Sequence, residues 1–511
     1  MIVGRNRCKV AIHGSVASFP TSCWKLLVLR QNVEKLSFSH KSLCAQIKYR
    51  ARQGCEEWTF KSIYESEEGC MRIKITNFGP IKEFEFDFSK KLIATYGDNN
   101  IGKSYAMQVA YLLLKTFMNV SISQDELKNV LHDIFKSIAN MNYQGDTPIV
   151  AEEQENYRST EKMYDEISKL IIPQFIDSCR VTFGKFDLIL EQEPHIYFDV
   201  KQHHMDIDLN NKKITGTTDF NYNVKRDETV VYGMAGMLYK ANPLFNDIVL
   251  AIQDEIGQVH YLPASRSGIY NSLSSFGSIV AELSKNKDVL TMGMKFPNLS
   301  VPISDYFVTV SNIAKYGEYI ADAADNRVKK CCDDVEKSIL KGKVIIDKNT
   351  NVLMYAPDDM NTQLSLSEVS SMVSEVSLML AFFKYVLINK DSKYINNKGI
   401  LFIEEPEAHL HPKNQLKLME VFAELAQAGI TIVMSSHSNY VFNKLNNLVL
   451  SRRLDYNMYE PIVLKKGEDG SVSKLMHIDE YGADDENFID VSEALYNERE
   501  QIIQKLNEGV E

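Results

Sequence analysis

Short apolar runs, each followed by polar residues, are the clearest pattern along this chain. Three of them cover residues 92–96, 400–403 and 429–434. A run with few or no polar positions is typical of a strand covered on both faces, as in a parallel sheet with helices on either side. The first run is followed by a helical pattern over residues 105–115. We therefore predict an α/β protein.

Alternating apolar and polar positions predict half-exposed strands elsewhere. Residue 71 opens a clean strand, MRIKITNF, and residues 180–234 contain four alternating segments that predict an antiparallel meander. This alternation explains the histidines and aspartates within residues 203–208 better than a metal site does. Residues 344–347 and 352–356 predict a further hairpin. A β-rich first lobe is therefore expected beside the parallel strands.

Helical periodicity is found between these strands and near the carboxyl terminus. Residues 161–172, 308–340, 376–387 and 491–508 are predicted helices. Residues 124–140 carry one apolar stripe opposite a face of mixed charge, so we expect this inserted helical arm to contact protein rather than duplex DNA. The stripe consists of Leu127, Val130, Leu131, Ile134 and Ile138.

Composition narrows the class of protein. Apolar residues make up 44% and charged residues 24% of the 511, as in an ordinary globular protein. The net charge of −11 argues against a chain wrapped in nucleic acid, although a local basic groove would still allow DNA binding. No apolar run approaches the ~18 residues of a membrane span, and none of the eight cysteines has CxxC spacing. We therefore expect free thiols, a cytoplasmic location and no membrane contact.

The first 70 residues differ from the rest of the chain. They hold both tryptophans and five of the eight cysteines, and their formal charge is +5, against −16 for the remainder. Their periodicity is poor, and they include no convincing secretion signal. We expect either that the protein begins at Met71 and this extension is upstream sequence, or that the extension is a disordered or partner-binding tail.

The loop after the first apolar run carries the strongest motif. LIATYGDNNIGKS matches G-x-x-x-x-G-K-[ST] between a predicted strand and a predicted helix. The glycines allow the backbone to wrap a polyphosphate, which N–H groups at the start of the helix stabilise. Lys103 is expected to reach the β- and γ-phosphates, and Ser104 to ligate Mg²⁺. The predicted ATP-binding residues of this loop are Gly97, Asp98, Asn99, Asn100, Ile101, Gly102, Lys103, Ser104 and Tyr105.

Two later strands end in residues that suit the rest of such a site. Glu404 and Glu405 follow the run at 400–403, and His437 follows the run at 429–434. One carboxylate beside such a phosphate-binding loop (P-loop) can hold the Mg²⁺ shell, and a second can polarise the water that attacks the γ-phosphorus. A histidine at the next strand end can contact the γ-phosphate or this water. Together these residues predict a site for ATP hydrolysis.

These motifs resemble those of the ABC-type ATPases of the RecF, SMC and OLD (overcoming lysogenization defect) group. The resemblance covers most of the chain from residue 71 onward, and it includes a first hairpin (residues 71–81 and 84–88), IEEPEAHLHP and SSHSNYVFNKLNNLVL. It implies that Glu404 is the Mg²⁺-side acid, Glu405 the catalytic glutamate and His437 the switch histidine, with Lys103 completing the catalytic set. Residues 407–411 would form a D-loop at a dimer interface.

The ABC signature is the weakest part of the resemblance. Residues 364–375, LSLSEVSSMVSE, precede an apolar helix, and Ser370 and Ser371 stand at its predicted start. The resemblance implies that these hydroxyls contact ATP bound by the opposite subunit, although Met372 replaces an expected glycine. Capping of the helix is an equally good account of each serine. Two roles are open for Arg266, in YLPASRSG: a position near the nucleotide or the interface, or structural hydrogen bonding.

We therefore expect an ATP- and Mg²⁺-dependent ATPase that forms a homodimer or higher homo-oligomer through its ATP-bound ATPase domains, called heads below. Its role stays open between DNA maintenance, anti-phage defence and control of a separately encoded nuclease or toxin. An intrinsic nuclease is not expected, because too little chain follows His437 for the Toprim domain of OLD proteins. A small-molecule kinase and a non-catalytic scaffold fit the motifs less well.

The expected division of the chain follows the positions of these motifs. It comprises an extension (1–70), the first part of the head (71–119), the arm and meander (120–260), a helical linker and hairpin (261–363) and the second part of the head (364–511).

Overall fold

A computed structural model describes most of the chain beyond residue 70. The described residues are 3–4, 7–12, 15–19, 71–119, 153–218, 249, 252–272, 299–313, 326–347, 352–387, 399–485 and 487–507. The chain divides into two compact units, Met1–Glu65 and Ser66–Glu511.

The first unit contains a small antiparallel sheet, which the poor periodicity of this segment did not predict. Its strands lie in sequence order and are β1 (Val3–Gly4), β2 (Arg7–Ile12) and β3 (Ser15–Phe19).

The second unit is organised around an 11-stranded mixed sheet among its described residues. The strands are β4 (Met71–Phe78), β5 (Ile81–Asp87), β6 (Leu92–Tyr96), β7 (His195–Val200), β8 (His203–Asp208), β9 (Lys213–Thr218), β10 (Val259–Leu262), β14 (Gly399–Glu404), β15 (Ile430–Ser435), β16 (Tyr459–Gly467) and β17 (Gly470–Leu475). From one edge to the other, the order is β10, β14, β15, β6, β16, β17, β5, β4, β7, β8, β9.

The half of the sheet from β10 to β16 is parallel throughout. The strand before the predicted P-loop, β6, lies between β15 and β16, and β14 lies on the far side of β15. Parallel strands direct all their carboxyl ends to one edge of a sheet, where ligands of α/β proteins bind. The segments after β6, β14 and β15, which carry the candidate site residues, therefore meet at one edge.

The other half of the sheet forms the predicted β-rich lobe. β4 pairs with β5 and with β7, and β7, β8 and β9 continue as an antiparallel meander. The strand predicted for residues 181–192 is wrong: this segment ends one helix and forms another, and Phe183, Phe186 and Ile189 are buried in a core that includes Phe78. Short aromatic-rich segments fit either structure, and here burial against the β4–β5 hairpin decides.

Helices cover the sheet and link its two halves. The helices Asn326–Val335 and Ser371–Phe382 each continue as a π-helical turn, at Glu336–Leu340 and Phe383–Leu387. The predicted stripe on residues 124–140 lies outside the described residues, as does the last segment of the predicted meander. The helices are α1 (Lys103–Asn119), α2 (Glu153–Phe183), α3 (Phe186–Leu190), α4 (Val301–Ser311), α5 (Asn326–Val335), α6 (Ser371–Phe382), α7 (Pro412–Gln427), α8 (Asn439–Leu450) and α9 (Ile489–Asn507).

Smaller sheets follow the pattern that the sequence predicts for residues 344–356. β11 (Gly342–Ile346) and β12 (Leu353–Pro357) form an antiparallel hairpin, to which β13 (Leu364–Ser365) adds a short third strand. A second small pair joins β18 (Ile478–Asp479) and β19 (Gly482–Ala483).

Two hydrophobic clusters lie on opposite faces of the parallel strands. Along β6, Leu92, Ala94 and Tyr96 belong to one cluster, while Ile93 belongs to the other. β14 alternates in the same way, so both strands are buried on both faces, as their apolar runs predict. This burial confirms the α/β class. Within the described part of the chain, none of the helices is long and apolar enough to cross a membrane.

Candidate nucleotide-binding site

The loop between β6 and α1 has a backbone that only glycine fits at two positions. Gly97 has φ +131°, and a Cβ there would lie 2.4 Å from the carbonyl oxygen of Leu464. Gly102 has φ +107°, and its Cβ would meet Pro80 at 3.0 Å. A side chain at Gly97 would therefore clash with that carbonyl, and a side chain at either position would strain the backbone. These glycines allow the loop to turn back over the start of α1.

The other loop residues lie where the motif predicts. Asp98, Asn99 and Asn100 are exposed, Ile101 is buried, and Ser104 and Tyr105 are half-buried in the first turn of α1. The first N–H groups of a helix have no partner within the helix and carry its positive dipole end, so this turn suits an anion. The ring of Tyr105 lies 4.9 Å from that of Phe183. Its side chain therefore packs on α2, and its predicted contact with ATP stays a prediction.

Lys103 is held beneath the loop. Its side chain is 6% exposed, and its ammonium group donates to the carbonyl oxygens of Gly97 at 2.9 Å and Asp98 at 2.5 Å. Burial lowers the pKa of Lys103 to about 8, although the negative charges of Glu405, Asp98 and Glu407 act in the opposite direction. A buried cation bonded only to carbonyl oxygens in this way can exchange them for phosphate oxygens.

Glu404, at the end of β14, is held by neighbours that the sequence did not identify. One carboxylate oxygen accepts a short hydrogen bond from the Tyr261 hydroxyl and a 3.4 Å bond from Gln108 of α1. The other accepts from the backbone N–H of Ala264 at 3.2 Å. These contacts orient a carboxylate that is 8% exposed. Gln108 lies one helical turn after Ser104, so this network reaches the helix that begins at the P-loop.

Glu405 has a left-handed backbone, with φ +41°. Its N–H donates to the carbonyl oxygen of Ser435 at 3.1 Å, which joins the ends of β14 and β15. Such a backbone is uncommon for a non-glycine residue and costs about 1–3 kcal/mol unless its surroundings impose it. The turn directs the Glu405 carboxylate away from the strand, where its side chain is 45% exposed.

His437 and Glu405 lie together beside the P-loop. Nε2 of His437 is 3.9 Å from a carboxylate oxygen of Glu405. Burial and the positive charge of Lys103 lower the pKa of His437, while Glu405 and Asp98 oppose the shift. The imidazole is therefore neutral at pH 7 and can both donate and accept a hydrogen bond. Three predicted catalytic residues from three separate segments thus form one group.

Glu407 ties the β14 segment to the histidine segment. Its carboxylate accepts from the Ser436 hydroxyl at 2.7 Å and from the backbone N–H of His437 at 2.8 Å. The side chain is 7% exposed, and this burial raises the pKa of Glu407. The Glu407 carboxylate is therefore part of the site within this copy, and the predicted D-loop at a dimer interface stays a prediction.

Arg266 is fully buried and serves the structural role that its sequence context left open. Its guanidinium donates to the carbonyl oxygens of Pro263, at 3.1 Å, and Glu404, at 2.9 Å. A longer bond of 3.4 Å reaches the carbonyl oxygen of Glu405. Its Nε also forms an ion pair with Glu375 of α6.

Ser370 and Ser371, the candidate signature serines, stand at the start of α6. Ser370 caps α6, because its hydroxyl accepts from the N–H of Val373 at 3.4 Å. Both serines are exposed, and the contacts of Ser370 stay within its own helical turn. Capping is thus observed, and the predicted contact of these serines with ATP of an opposite subunit stays a prediction.

The donor set suits Mg²⁺ that is shared with a polyphosphate. Among the described residues, no three His, Cys, Asp or Glu side chains form a ready-made metal cluster. Mg²⁺ in phosphate-transfer sites typically uses one or two protein ligands, with phosphate oxygens and water completing the shell. Ser104 at the helix start and Glu404 at the strand end fit that pattern. Two of the histidines of β7 and β8 instead pair with aspartates across the strands, His195 with Asp206 and His204 with Asp199.

Two of the residues that hold Glu404 and that sequence analysis missed lie in one segment. Tyr261 and Ala264 belong to YLPASRSG, in which the sequence singles out only Arg266. β10 pairs in parallel with β14, so the loop after β10 ends beside Glu404. Pairing between strands that are so far apart in sequence is not visible in local patterns.

Comparisons with known proteins place the chain among ATPases. A sequence profile of the family described as AAA ATPase domain matches residues 71–442. No curated protein was found to match the chain. Similar solved structures include the SMC head domain from Thermotoga maritima, with 8% identity, 80% of this chain and 99% of that chain covered and a TM-score of 0.35. Another is the Smc head domain bound to the C-terminal domain of ScpA derived from Pyrococcus furiosus, with 11% identity, 84% and 100% covered and a TM-score of 0.34.

Proposed function

We propose that this chain, which belongs to the AAA ATPase domain family, binds ATP with Mg²⁺ at the P-loop and hydrolyses it at the Glu405–His437 pair. The observation that carries the proposal is the meeting of this pair with Lys103 at one edge of the sheet, from three segments far apart in sequence. A base, a polar partner and a phosphate-binding cation are the groups that hydrolysis of a γ-phosphate requires.

Each residue then has a distinct task. Lys103 exchanges its carbonyl partners for phosphate oxygens, while the loop N–H groups bind the remaining oxygens. Glu405 accepts a proton from the attacking water, and its exposed carboxylate is accessible for that purpose. His437, neutral at pH 7, donates a hydrogen bond to the γ-phosphate or to the water. Ser104 and Glu404 hold Mg²⁺, which when bound neutralises charge on the β- and γ-phosphates.

We further propose that two copies join around ATP. The start of α6 supports this proposal, because Ser370 and Ser371 are exposed there and the Ser370 hydroxyl bonds only within its own helical turn among the described residues. In such a pair, the serines of one copy contact ATP that is bound to the P-loop of the other. Hydrolysis then separates the copies.

The P-loop assignment is tested by Lys103→Ala. This variant loses the cation that binds the phosphates, so we expect no ATP turnover above background in a Mg²⁺-dependent phosphate-release assay. Lys417→Ala is the matched control, because Lys417 also donates to a backbone carbonyl, that of Ser338 at 2.8 Å, but lies on α7. Turnover equal to that of the parent in Lys103→Ala would refute the site.

The pairing of two copies is tested by Glu405→Gln. The amide keeps the size and polarity of the side chain but cannot accept the proton of water, so ATP should stay bound. We expect a dimer to accumulate with ATP and Mg²⁺ in size-exclusion chromatography, but not with ADP. A monomer in every nucleotide state would contradict the model of paired heads.

We also propose that the chain is an OLD-like ATPase subunit without a nuclease of its own, acting in DNA maintenance or defence through a separate effector. IEEPEAHLHP supports the OLD-like assignment. Incubation of the purified chain with supercoiled plasmid, ATP and Mg²⁺ or Mn²⁺ should leave the plasmid intact. Cleavage that Lys103→Ala or Glu404→Ala abolishes would contradict this proposal.

A further inference from the structure

A buried ion pair connects the start of α6 to the end of β14. Nε of Arg266 lies 3.1 Å from a carboxylate oxygen of Glu375, and the two side chains are 0% and 1% exposed. The Nε–H is not aligned with that oxygen, so the contact is electrostatic rather than a hydrogen bond. The pair therefore joins two segments that are about 110 residues apart in sequence.

On one side, Arg266 fixes the backbone that presents the two carboxylates. Its guanidinium donates to the carbonyl oxygens of Glu404, at 2.9 Å, and Glu405, at 3.4 Å. The peptide after Glu405 is the one whose direction depends on the left-handed φ of +41°. A planar guanidinium can bond two neighbouring carbonyls at once, which an ammonium group does poorly. Arg266 thus stabilises the conformation that aims the Glu405 carboxylate at the P-loop.

On the other side, Glu375 fixes the start of α6. It lies five residues after Ser370, and its second oxygen accepts from the Ser267 hydroxyl at 2.7 Å and the Ser267 N–H at 3.0 Å. Arg266 and Ser267 are neighbours in the loop after β10, so Glu375 is held at two adjacent points. A shift of this end of α6 moves the partner of Arg266.

Burial makes this connection stiff and sensitive to the loss of either partner. Removing one member of a buried pair leaves an uncompensated charge inside the protein, whereas a surface pair would contribute little. A displacement at α6 is therefore passed to Arg266 rather than absorbed by solvent. The same loop also binds the Glu404 side chain through the N–H of Ala264, so both carboxylates depend on its position.

We propose that Arg266 and Glu375 are a positioning pair that sets the catalytic carboxylate of Glu405 according to the position of α6. The proposal rests on the proposed function and adds how its rate is controlled. Contact of an opposite copy with Ser370 and Ser371 moves or fixes the start of α6, and the pair transmits this to Glu405. Hydrolysis thereby responds to pairing within the same chain.

The test uses Arg266→Lys and Glu375→Gln. Arg266→Lys keeps the charge but loses the planar bond to two carbonyls, and Glu375→Gln keeps the bonds from Ser267 but loses the ion pair. We expect the kcat for ATP to fall about 10- to 100-fold, because small misplacement of a catalytic group has an effect of that size. KM and the calorimetric Kd for ATP should stay at the parent values, because the P-loop is untouched.

The matched control is Glu336→Gln. Glu336 forms the other well-buried ion pair of the described residues, with Lys384 at 2.8 Å, and it also accepts from the N–H of Val344. Its partners lie on the π-helical turn after α6 and on β11, and none of them is a candidate site residue. We expect Glu336→Gln to lower the melting temperature, as the other variants do, but to keep the parent kcat when assayed well below that temperature.

Two further measurements separate positioning from stability. In a Glu405→Gln background, Arg266→Lys should cause no additional loss of rate, because residues that act through one group are not additive. If Arg266→Lys and Glu375→Gln do not fold, Ser267→Ala, which removes only one hydroxyl bond to Glu375, should fold and show a smaller fall in kcat at unchanged KM.

Parent kcat in every folded variant of Arg266, Glu375 and Ser267, with only the melting temperature lowered, would overturn the proposal. An additive loss in the Glu405→Gln background would overturn it as well. Failure of the proposed function is distinguishable, because Lys103→Ala or Glu405→Gln would then hydrolyse ATP like the parent. An inactive Lys103→Ala beside a fully active Arg266→Lys would refute only the positioning pair.

Discussion

Lys103 shows how burial prepares a side chain for its ligand. Its ammonium group lies under the loop at 6% exposure, bonded to two carbonyl oxygens. Desolvation lowers its pKa to about 8, even though three nearby carboxylates favour the charged form. Phosphates bring further negative charge to the same place, so binding of ATP raises this pKa again.

We predict that the affinity for ATP falls as the pH rises above 8. Below pH 8, Lys103 is already protonated and the Kd should be constant; above it, binding must take up a proton, so the Kd should rise by up to about tenfold per pH unit. Calorimetry between pH 7 and 9.5 at fixed Mg²⁺ measures this. Lys103→Arg, which stays charged over that range, should show no such slope. Equal slopes for both proteins would show that another group titrates.

Glu407 is a second buried side chain whose hydrogen bonds prepare the site. It accepts from Ser436 and from the N–H of His437, and it thereby fixes the backbone that presents the imidazole. Its other oxygen is buried and has no hydrogen-bond partner among the described residues. Burial raises its pKa, which favours the protonated form without preventing acceptance by the bonded oxygen.

We predict that Glu407→Ala lowers the kcat about 10- to 100-fold, because the buried Ser436 hydroxyl and His437 N–H lose their acceptor, a loss of about 1–3 kcal/mol. Glu407→Gln keeps an oxygen that accepts from both groups and should retain most of the parent rate. Steady-state kinetics of the two variants distinguish acceptance from charge. Equal losses in both would mean that the negative charge itself is required.

At the scale of elements, the site depends on where strands and helices end. β6, β14 and β15 are parallel neighbours, so the P-loop, Glu405 and His437 leave the sheet at one edge. α1 begins at Lys103 and directs its N–H groups there. α6 begins at the Ser370 cap, and its Glu375 contacts Arg266 and Ser267 of the loop after β10.

We predict that capping and ATP contact by Ser370 can be separated. Ser370→Ala should lower the free energy of unfolding by about 1 kcal/mol, since the cap is lost, and Ser370→Asn should restore it, because asparagine caps well. The amide does not replace the hydroxyl at a phosphate, so Ser370→Asn should still hydrolyse ATP slowly. Chemical denaturation and phosphate release give the two readouts. Full activity in Ser370→Asn would show that Ser370 caps α6 and makes no contact with ATP that hydrolysis needs.

At the scale of the whole molecule, the ATPase family match and the main compact unit begin close together. The family profile starts at residue 71, and the unit covers Ser66–Glu511. β4 opens at Met71 and pairs with both β5 and β7, so it belongs to the interior of the antiparallel half. The first unit has its own three-stranded sheet.

We predict that residues 1–70 are dispensable for the ATPase. A shortened chain that begins at Met71 should be soluble, melt at the parent temperature and hydrolyse ATP at the parent rate. Thermal melting and phosphate release provide the comparison. As a control, a chain that begins at residue 79 lacks β4, so the antiparallel half loses a central strand and this chain should not fold. Unfolding of the chain from Met71 would show that the first unit stabilises the second.

The sequence by itself determined the α/β class, the P-loop, the carboxylate pair and the histidine segment. Each of these depends on local physics: a fully apolar run must be buried, and a glycine-rich loop before a helix has few conformations. It also predicted the hairpin at residues 344–356 and most helices. It was wrong at residues 181–192, where contacts of Phe183 and Phe186 with a distant hairpin outweighed a weak local preference.

Only the tertiary structure decided what holds the site in place. The partner of Glu404 is Tyr261, 143 residues away, and the partner of Arg266 is Glu375, more than 100 residues away in sequence. It also decided that Glu407 turns inward and that Arg266 is structural. Such contacts depend on which strands pair and which helix covers them. No local sequence pattern predicts this pairing and packing, because a Glu or an Arg is the same letter in the sequence whether its side chain lies in solvent or in the core.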